Sequence, residues 1–175
     1  MNKIDGYFSK TDVKALTDNV FGLIGSDWML ITAGSAGSFN TMTASWGTLG
    51  ILWNKPVAIC FVRPHRYTFE FIEKSGYFTL SFFDETYRGV LNICGSKSGR
   101  DIDKVKETGL SPLVTDNGVI GYEQARMILE CRKLYADFLK HDHFVIPEIA
   151  LKNYPSNDFH KFYIGEIVNC YLKHQ

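Results

Sequence analysis

Apolar and polar residues alternate along several short segments of the chain, a pattern typical of β-strands with one buried face. The segment FNTMTASWGTLG (39–50) is the clearest case, with apolar residues on one face and hydroxyl residues on the other. The first face carries Met42, Ala44 and Trp46, and the second carries Thr41, Thr43 and Ser45. Residues 27–34 predict a preceding strand, and the glycine, serine and asparagine content of 35–40 predicts a hairpin connection between the two.

Apolar runs and terminal glycines predict the remaining elements. Further strands are predicted at 55–62, 77–83, 125–140 and 160–173. Short helices are predicted at 63–76, 84–95 and 98–109, with one helical turn near Pro147. Because several connections are too short for the crossovers of a parallel sheet, we predict one α+β, mainly β domain over residues 1–175. Five or six strands with short flanking helices then fit a small closed β-barrel.

Composition and charge narrow the function classes. Lys and Arg together number 19, as do Asp and Glu, so no net field attracts nucleic acid or an anionic membrane. We find neither a signal peptide nor an apolar run long enough to span a bilayer, and we expect a cytoplasmic protein. The cysteines are scattered and are expected to be buried reduced thiols: Cys60, Cys94, Cys131 and Cys170. The His141–Asp142–His143 sequence lacks further spaced ligands, so no metal site is predicted.

Two polar segments lie where ligands often bind. The first, 63–68, follows an apolar strand and precedes a predicted helix, where unpaired backbone N–H groups favour anions. It contains Arg63, His65, Arg66 and Thr68. The second, 95–101, combines glycines with Lys97 and Arg100 before another predicted helix. Simpler interpretations remain open: a solvated basic turn for the first, and helix capping by Ser98 and Asp101 for the second. Likewise, residues 39–50 are either an ordinary barrel strand or a strand whose end lines a binding site for a planar ligand.

Taken together, NTMTASW, RPHRYT, SKSGRDIDK and the later HKFYIGEI resemble the flavin reductase-like proteins with an FMN-binding split barrel. The SGRDxDK pattern resembles the flavoredoxin branch in particular, and the resemblance runs from about residue 28 to residue 168. It implies a six-stranded Greek-key split β-barrel, a homodimer, and one FMN per subunit near the dimer interface.

The resemblance also implies roles for individual residues. The flavin ring would be lined by Asn40, Thr41, Met42, Thr43, Ala44, Ser45 and Trp46. The ribityl phosphate would be held by His65, Arg66 and Thr68 with Arg63 nearby, and Ser98, Gly99, Arg100 and Lys104 would complete the pocket. Many relatives have small hydroxyl residues where this chain has His65 and Arg66. His160 would face the nicotinamide, although a Gly-Asp-His of relatives is replaced here by residues 157–160, with one residue inserted before the histidine.

Three functions are open at this point. The first is an FMN-dependent oxidoreductase that accepts hydride from NAD(P)H and passes electrons to a small-molecule or protein acceptor or to free flavin. The second is an FMN-binding electron carrier or redox sensor without NAD(P)H turnover, consistent with the altered spacing of Asp158 and His160. The third is an interaction module that binds no flavin, which the glycine-rich basic segment at 95–101 argues against.

Overall fold

The computed structural model describes residues 1–174, whose strands form two β-sheets. The strands are β1 (Asn2–Lys3), β2 (Phe8–Thr11), β3 (Met29–Ser35), β4 (Ser38–Ala44), β5 (Gly47–Leu52), β6 (Lys55–Val62), β7 (Tyr77–Phe82), β8 (Pro112–Val114), β9 (Ile120–Tyr122), β10 (Met127–Phe138) and β11 (Lys161–Lys173). The larger sheet has eight strands, in the order β4–β3–β7–β10–β11–β6–β5, with β2 also paired to β11. Neighbouring strands in it are antiparallel. The smaller sheet has the order β1–β8–β9.

Four α-helices lie between the strands. They are α1 (Tyr67–Lys74), α2 (Arg88–Ser96), α3 (Lys104–Thr108) and α4 (Pro147–Asn153). Short 3-10 turns occur at Ile4–Gly6, Val13–Ala15, Glu85–Tyr87 and His141–His143, and a π-helical turn at Gly22–Asp27. Among residues 1–174, none of the helices has both the length and the apolar character to cross a lipid bilayer.

Most of the predicted elements occur close to their expected positions. The prediction of a strand at 55–62 is confirmed by β6, and the long strands at 125–140 and 160–173 correspond to β10 and β11. The single strand predicted at 39–50 is wrong, because the chain leaves β4 at Ala44 and starts a separate strand at Gly47. The helix predicted at 98–109 is shorter in the structure, where it begins at Lys104. The Asp103 side chain caps its N-terminus, and Gly109, in a left-handed conformation, ends it.

The expected closed barrel also requires correction. Within the described chain, the edge strands β4 and β5 are not paired with each other, so the sheet is open. The larger sheet also exceeds the six strands that the resemblance implied, because β2 and β5 join it. The β5 strand arises as the first arm of a hairpin with β6, through Trp53 and Asn54 at positive φ.

The two open edges nevertheless lie close together. Only Ser45 and Trp46 separate the end of β4 from the start of β5, although these strands are at opposite ends of the strand order. Three Cα–Cα steps span at most about 11 Å. The sheet must therefore curl until its edges almost meet, leaving a split at residues 45–46.

Curling of the sheet encloses the main core. Its fully buried members include Ile31, Phe78, Leu80, Leu129 and Tyr163. A second cluster, which includes Leu91, Cys94 and Leu113, packs α2 and the smaller sheet against the outside of the larger one. The expectation of buried, unpaired cysteines is confirmed for all four.

A buried carboxylate joins the two sheets. Glu130 in β10 is fully buried and accepts hydrogen bonds from the Thr115 hydroxyl, both nitrogens of Asn117, the Asn169 amide and the Tyr171 hydroxyl. Since each partner is a donor, the carboxylate is satisfied without a cation. Glu130 therefore has a structural role.

A glycine in β11 allows close packing inside the larger sheet. A Cβ built on Gly165 would lie 2.6 Å from Phe78 Cζ and 2.8 Å from Cys131 Cβ. Both neighbours are fully buried, so neither can move freely. We expect Gly165→Ala to lower the free energy of unfolding by roughly 1–3 kcal/mol, as an overpacked core does.

Urea unfolding followed by circular dichroism measures this effect. Gly50→Ala in β5 is the matched control, since a Cβ there meets nothing within 4 Å. If Gly165→Ala unfolds at the same urea concentration as the wild type, the core around Gly165 accommodates a methyl group and the expected clash is absent.

Candidate functional site

Two adjoining cavities lie beside the split in the sheet. The aromatic cavity, of about 320 Å³, is lined by Met42, Thr43, Ala44, Ser45, Trp46, Phe61, Arg63, His65, Arg66 and His160. The cationic cavity, of about 250 Å³, is lined by Asn40, His65, Arg66, Tyr67, Thr68, Ser96, Lys97, Ser98, Gly99 and Lys104. They share His65 and Arg66, so together they form one elongated site.

Each wall of this site comes from a different part of the chain. The end of β4 and the Ser45–Trp46 link form one wall of the aromatic cavity, and the end of β6 forms another. The cationic cavity lies between the start of α1 and the loop at 97–103 that joins α2 to α3. The three segments that the sequence indicated therefore do meet.

Arg66 is the most informative side chain of the site. Its Nη2 atom is buried and has no hydrogen-bond partner among residues 1–174. Burial lowers the pKa of the guanidinium, which reflects the loss of hydration around a charged group. Arg66 also precedes the first residue of α1, whose first backbone N–H groups have no partner within the helix. A buried donor with unused hydrogen-bonding capacity faces a cavity that favours an anion.

Lys104 adds a second positive charge. Its side chain is 6% exposed, and Nζ donates to the backbone carbonyls of Thr41 and Cys94, both at 2.8 Å. Burial is the main cause that lowers the pKa of the amine to about 8, and the positive charge of Arg66 contributes to the same decrease. Among the described residues, no Asp or Glu lines either cavity. The charges that face the site are therefore all positive.

The 97–103 loop packs closely against β4 on one side of the cationic cavity. The Asn40 amide donates to Thr68 Oγ1 at 2.7 Å and to the Thr41 carbonyl at 3.2 Å. A Cβ on Gly99 would lie 2.0 Å from Asn40 Oδ1, so only glycine allows this contact. Ser98 stabilises the loop by accepting the Arg100 amide at 3.1 Å, and it does not cap α3 as the sequence suggested.

Aromatic rings enclose the other end of the site. Trp46 is 47% exposed, and its ring centroid lies 5.1 Å from that of His160 at an interplanar angle of 49°. The Phe61 ring meets His160 edge-on at 6.3 Å. His160 itself is 9% exposed, and burial together with Arg63 lowers its pKa to about 4. Its imidazole is therefore neutral at pH 7.

Some predicted residues are engaged elsewhere. The Arg63 guanidinium lines the aromatic cavity, but it donates to Asp158 at 2.5 Å and to the Asn153 carbonyl at 2.9 Å. Arg100 lies outside both cavities, where it donates to Glu70 at 2.5 Å and to the His65 carbonyl at 3.3 Å. Both guanidinium groups therefore hold the surrounding chain together.

Buried polar groups of β4 and α2 support the site from behind. The Thr41 side chain is buried against Thr32, while its carbonyl accepts from Lys104. Thr43 donates to the Leu91 carbonyl at 2.5 Å and so ties β4 to α2. Burial raises the pKa of the Cys94 thiol more than Lys104 lowers it, which argues against a reactive thiolate.

Two residues at or beside the site were not singled out as site residues from the sequence. Phe61 lies in the strand before the basic segment, where its alternation with buried neighbours could have indicated it. Tyr154, the residue that follows α4, contacts His160, and no short sequence pattern connects these two residues. Within residues 1–174, no three histidine, cysteine or acidic side chains are grouped to hold a metal ion.

Several solved structures are similar to this chain in fold. A flavoredoxin from Methanosarcina acetivorans superposes with a TM-score of 0.67 at 22% identity, over 94% of this chain and 77% of that chain. The flavoredoxin of Desulfovibrio vulgaris gives 0.66 at 20% identity, over 94% and 76%. An FMN-binding domain of a flavin reductase-like enzyme from Shewanella baltica gives 0.68 at 18% identity, over 94% and 76%. At these identities the likeness concerns the fold.

No protein with a curated description matches the chain. The profile of the flavin reductase like domain matches residues 21–175, which include every lining residue of both cavities. The chain belongs to the flavin reductase-like family.

Proposed function

We propose that the chain binds FMN and works as an oxidoreductase that takes hydride from NAD(P)H and passes electrons to a small-molecule or protein acceptor or to free flavin. The observation that carries this proposal is the buried Arg66 Nη2, which has unused donor capacity between the aromatic and cationic cavities. An amphipathic ligand with an anionic tail matches a site with one apolar and one cationic end.

The residues present fit FMN at both ends. The phosphate would lie in the cationic cavity, held by Arg66, Lys104, the Thr68 hydroxyl and the first amides of α1. Ser98 and Gly99 would close that end, with His65 at the junction of the two cavities. The ring would lie in the aromatic cavity along residues 42–46, and Asn40 would lie toward the tail.

Each side chain then has a definite task. Bound FMN would supply the hydride and electron chemistry, so the protein needs no nucleophile of its own. Trp46 and Phe61 would provide apolar contacts in the aromatic cavity, and Arg66 and Lys104 would neutralise the tail. His160, neutral because of its burial, offers hydrogen bonding at the aromatic end and cannot act as a charged acid at pH 7.

The electron-carrier function remains a second candidate. It is favoured by the pairing of Asp158 with Arg63 and His65, which removes this carboxylate from the aromatic cavity. If Asp158 serves only to hold this loop in place, the chain would bind FMN but would not provide a site for the nicotinamide.

Two further features belong to the same proposal. The Greek-key split barrel would be built from β3, β4, β6, β7, β10 and β11. A homodimer would cover the exposed aromatic side chains near the split, which are Trp46, Tyr135 and Phe138.

Anaerobic titration separates these functions. Bleaching of the flavin absorbance by NADH or NADPH supports the oxidoreductase. Bleaching by dithionite alone supports the carrier, and failure of the purified protein to bind FMN rejects both.

Arg66 provides the first prediction. We expect Arg66→Ala to weaken FMN binding roughly 10- to 100-fold, the loss typical of hydrogen bonds to a charged group. Fluorescence titration with FMN measures the affinity. Arg132→Ala, which removes an exposed guanidinium paired with Glu166, should bind FMN as the wild type does. Equal affinities for all three proteins would contradict the phosphate assignment.

Lys104 provides a prediction on pH. Its amine is charged below its pKa of about 8 and neutral above it, so the attraction for phosphate is present at pH 7 and is lost as pH rises. We expect FMN affinity to fall roughly tenfold between about pH 7 and pH 9.5, as one charged hydrogen bond weakens. In Lys104→Met, affinity should be lower at neutral pH and should change little over this range.

The matched control is Lys106→Met, which removes an exposed lysine from the same helix. It should retain the pH dependence of the wild type. A pH-independent affinity in the wild-type protein would show that the Lys104 amine does not face the bound phosphate.

A further inference from the structure

His160 is held from two directions at the edge of the aromatic cavity. Its backbone carbonyl accepts the Leu139 amide at 2.9 Å, just after β10 ends. Its Nδ1 atom lies 2.8 Å from the hydroxyl oxygen of Tyr154. Tyr154 does not line the aromatic cavity, whereas His160 does. The imidazole therefore contacts the buried Tyr154 hydroxyl on one side and lines the aromatic cavity on the other.

The direction of this hydrogen bond follows from counting donors. Tyr154 is 5% exposed, and its hydroxyl has no hydrogen-bond partner other than His160 in the described part of the chain. If the hydroxyl donates, Nδ1 accepts and both atoms are satisfied. If Nδ1 donated instead, the hydroxyl proton would be left without an acceptor, which is costly in a buried position. The first arrangement leaves the imidazole proton on Nε2.

Charges around the ring keep it in this neutral form. Arg63 and His65 disfavour a positive charge on His160, while Asp158 favours one. Burial is the largest cause of the lowered His160 pKa and acts in the same direction as Arg63 and His65. Burial also raises the pKa of the Tyr154 hydroxyl, so it remains protonated and able to donate.

Tyr154 itself is fixed by its neighbours. Its ring stacks on Phe159 with centroids 4.7 Å apart, and the Arg63 guanidinium lies 5.2 Å from its centroid. The same guanidinium bonds to Asn153 and Asp158, on either side of the turn that carries Asn157 at positive φ. Arg63 thus holds the segment 153–158 in the conformation that brings Tyr154 to His160.

We propose that Tyr154 is a positioning residue, whose hydroxyl donates to Nδ1 of His160 and thereby presents a neutral Nε2–H donor to the aromatic cavity. The inference rests on the proposed function, because the acceptor is the carboxamide oxygen of the nicotinamide substrate. His160 then orients this substrate by a hydrogen bond and transfers no proton. The extra residue between Asp158 and His160 is compatible with this role, since Asp158 pairs with Arg63 instead.

The first test observes the ring nitrogens of His160 directly. Two-dimensional ¹H–¹⁵N NMR spectra of the FMN-loaded wild-type protein should show one neutral tautomer at pH 7, with Nδ1 unprotonated. In Tyr154→Phe, both tautomers should appear and the His160 pKa should rise, because the lost donor stabilised the unprotonated Nδ1. A wild-type spectrum with the proton on Nδ1 would overturn the proposal.

The second test measures reduction of bound FMN by NADH and NADPH in a stopped-flow instrument. We expect the concentration for half-maximal rate to rise roughly three- to tenfold in Tyr154→Phe, the loss of about one well-placed hydrogen bond. FMN affinity and the limiting rate should change much less. Tyr7→Phe, which removes a tyrosine hydroxyl that accepts from the Asn2 amide outside both cavities, is the matched control and should behave as the wild type.

The two tests separate the two claims. Unchanged tautomer and unchanged half-maximal concentration in Tyr154→Phe would overturn the positioning role while leaving the proposed function intact. Reduction of the wild type by dithionite but by neither nicotinamide would overturn the hydride-transfer function, and the NMR spectra would still decide the role of Tyr154.

Discussion

The two-residue link between β4 and β5 is the constraint on which the site depends. It joins strands from opposite edges of the larger sheet, so the sheet can form only if it curls until those edges approach. Inside the curled sheet there is no room for a side chain where β11 passes Phe78, and Gly165 occupies that position. The split left at Ser45 and Trp46 forms a wall of the aromatic cavity. Fold and site therefore share one cause.

Electrostatics determines what such a site favours. Arg66 and Lys104 are both partly or fully removed from water, and each has a lowered pKa as a result. Burying two like charges near each other without a carboxylate is unfavourable for the isolated protein. An anion that binds between Arg66 and Lys104 offsets this unfavourable electrostatic free energy. The folded protein therefore favours anion binding at this position. The Glu130 cluster behaves differently, because its donors fully satisfy the buried charge.

The sequence did not show which of three arginines remains free to bind an anion. Arg63, Arg66 and Arg100 stand within two basic segments and looked equivalent as phosphate ligands. Of these three, only Arg66 has a buried nitrogen without a partner among residues 1–174, whereas Arg63 pairs with Asp158 and Arg100 with Glu70. A guanidinium on a long flexible side chain can reach many acceptors, and those partners lie 95 and 30 residues away in sequence. Spacing along the chain therefore carries no information about which arginine remains available.

The sequence by itself determined the strand-rich fold class, the positions of most strands, and the three segments that meet at the site. These are local properties, because periodicity, glycine placement and clustered charge act over a few neighbouring residues. Only the tertiary structure decided that the sheet stays open, that Tyr154 contacts His160, and that α3 begins at Lys104 so that its amine reaches the Thr41 carbonyl. Those outcomes depend on contacts between distant residues, whose energies are settled by how the curled sheet packs as a whole.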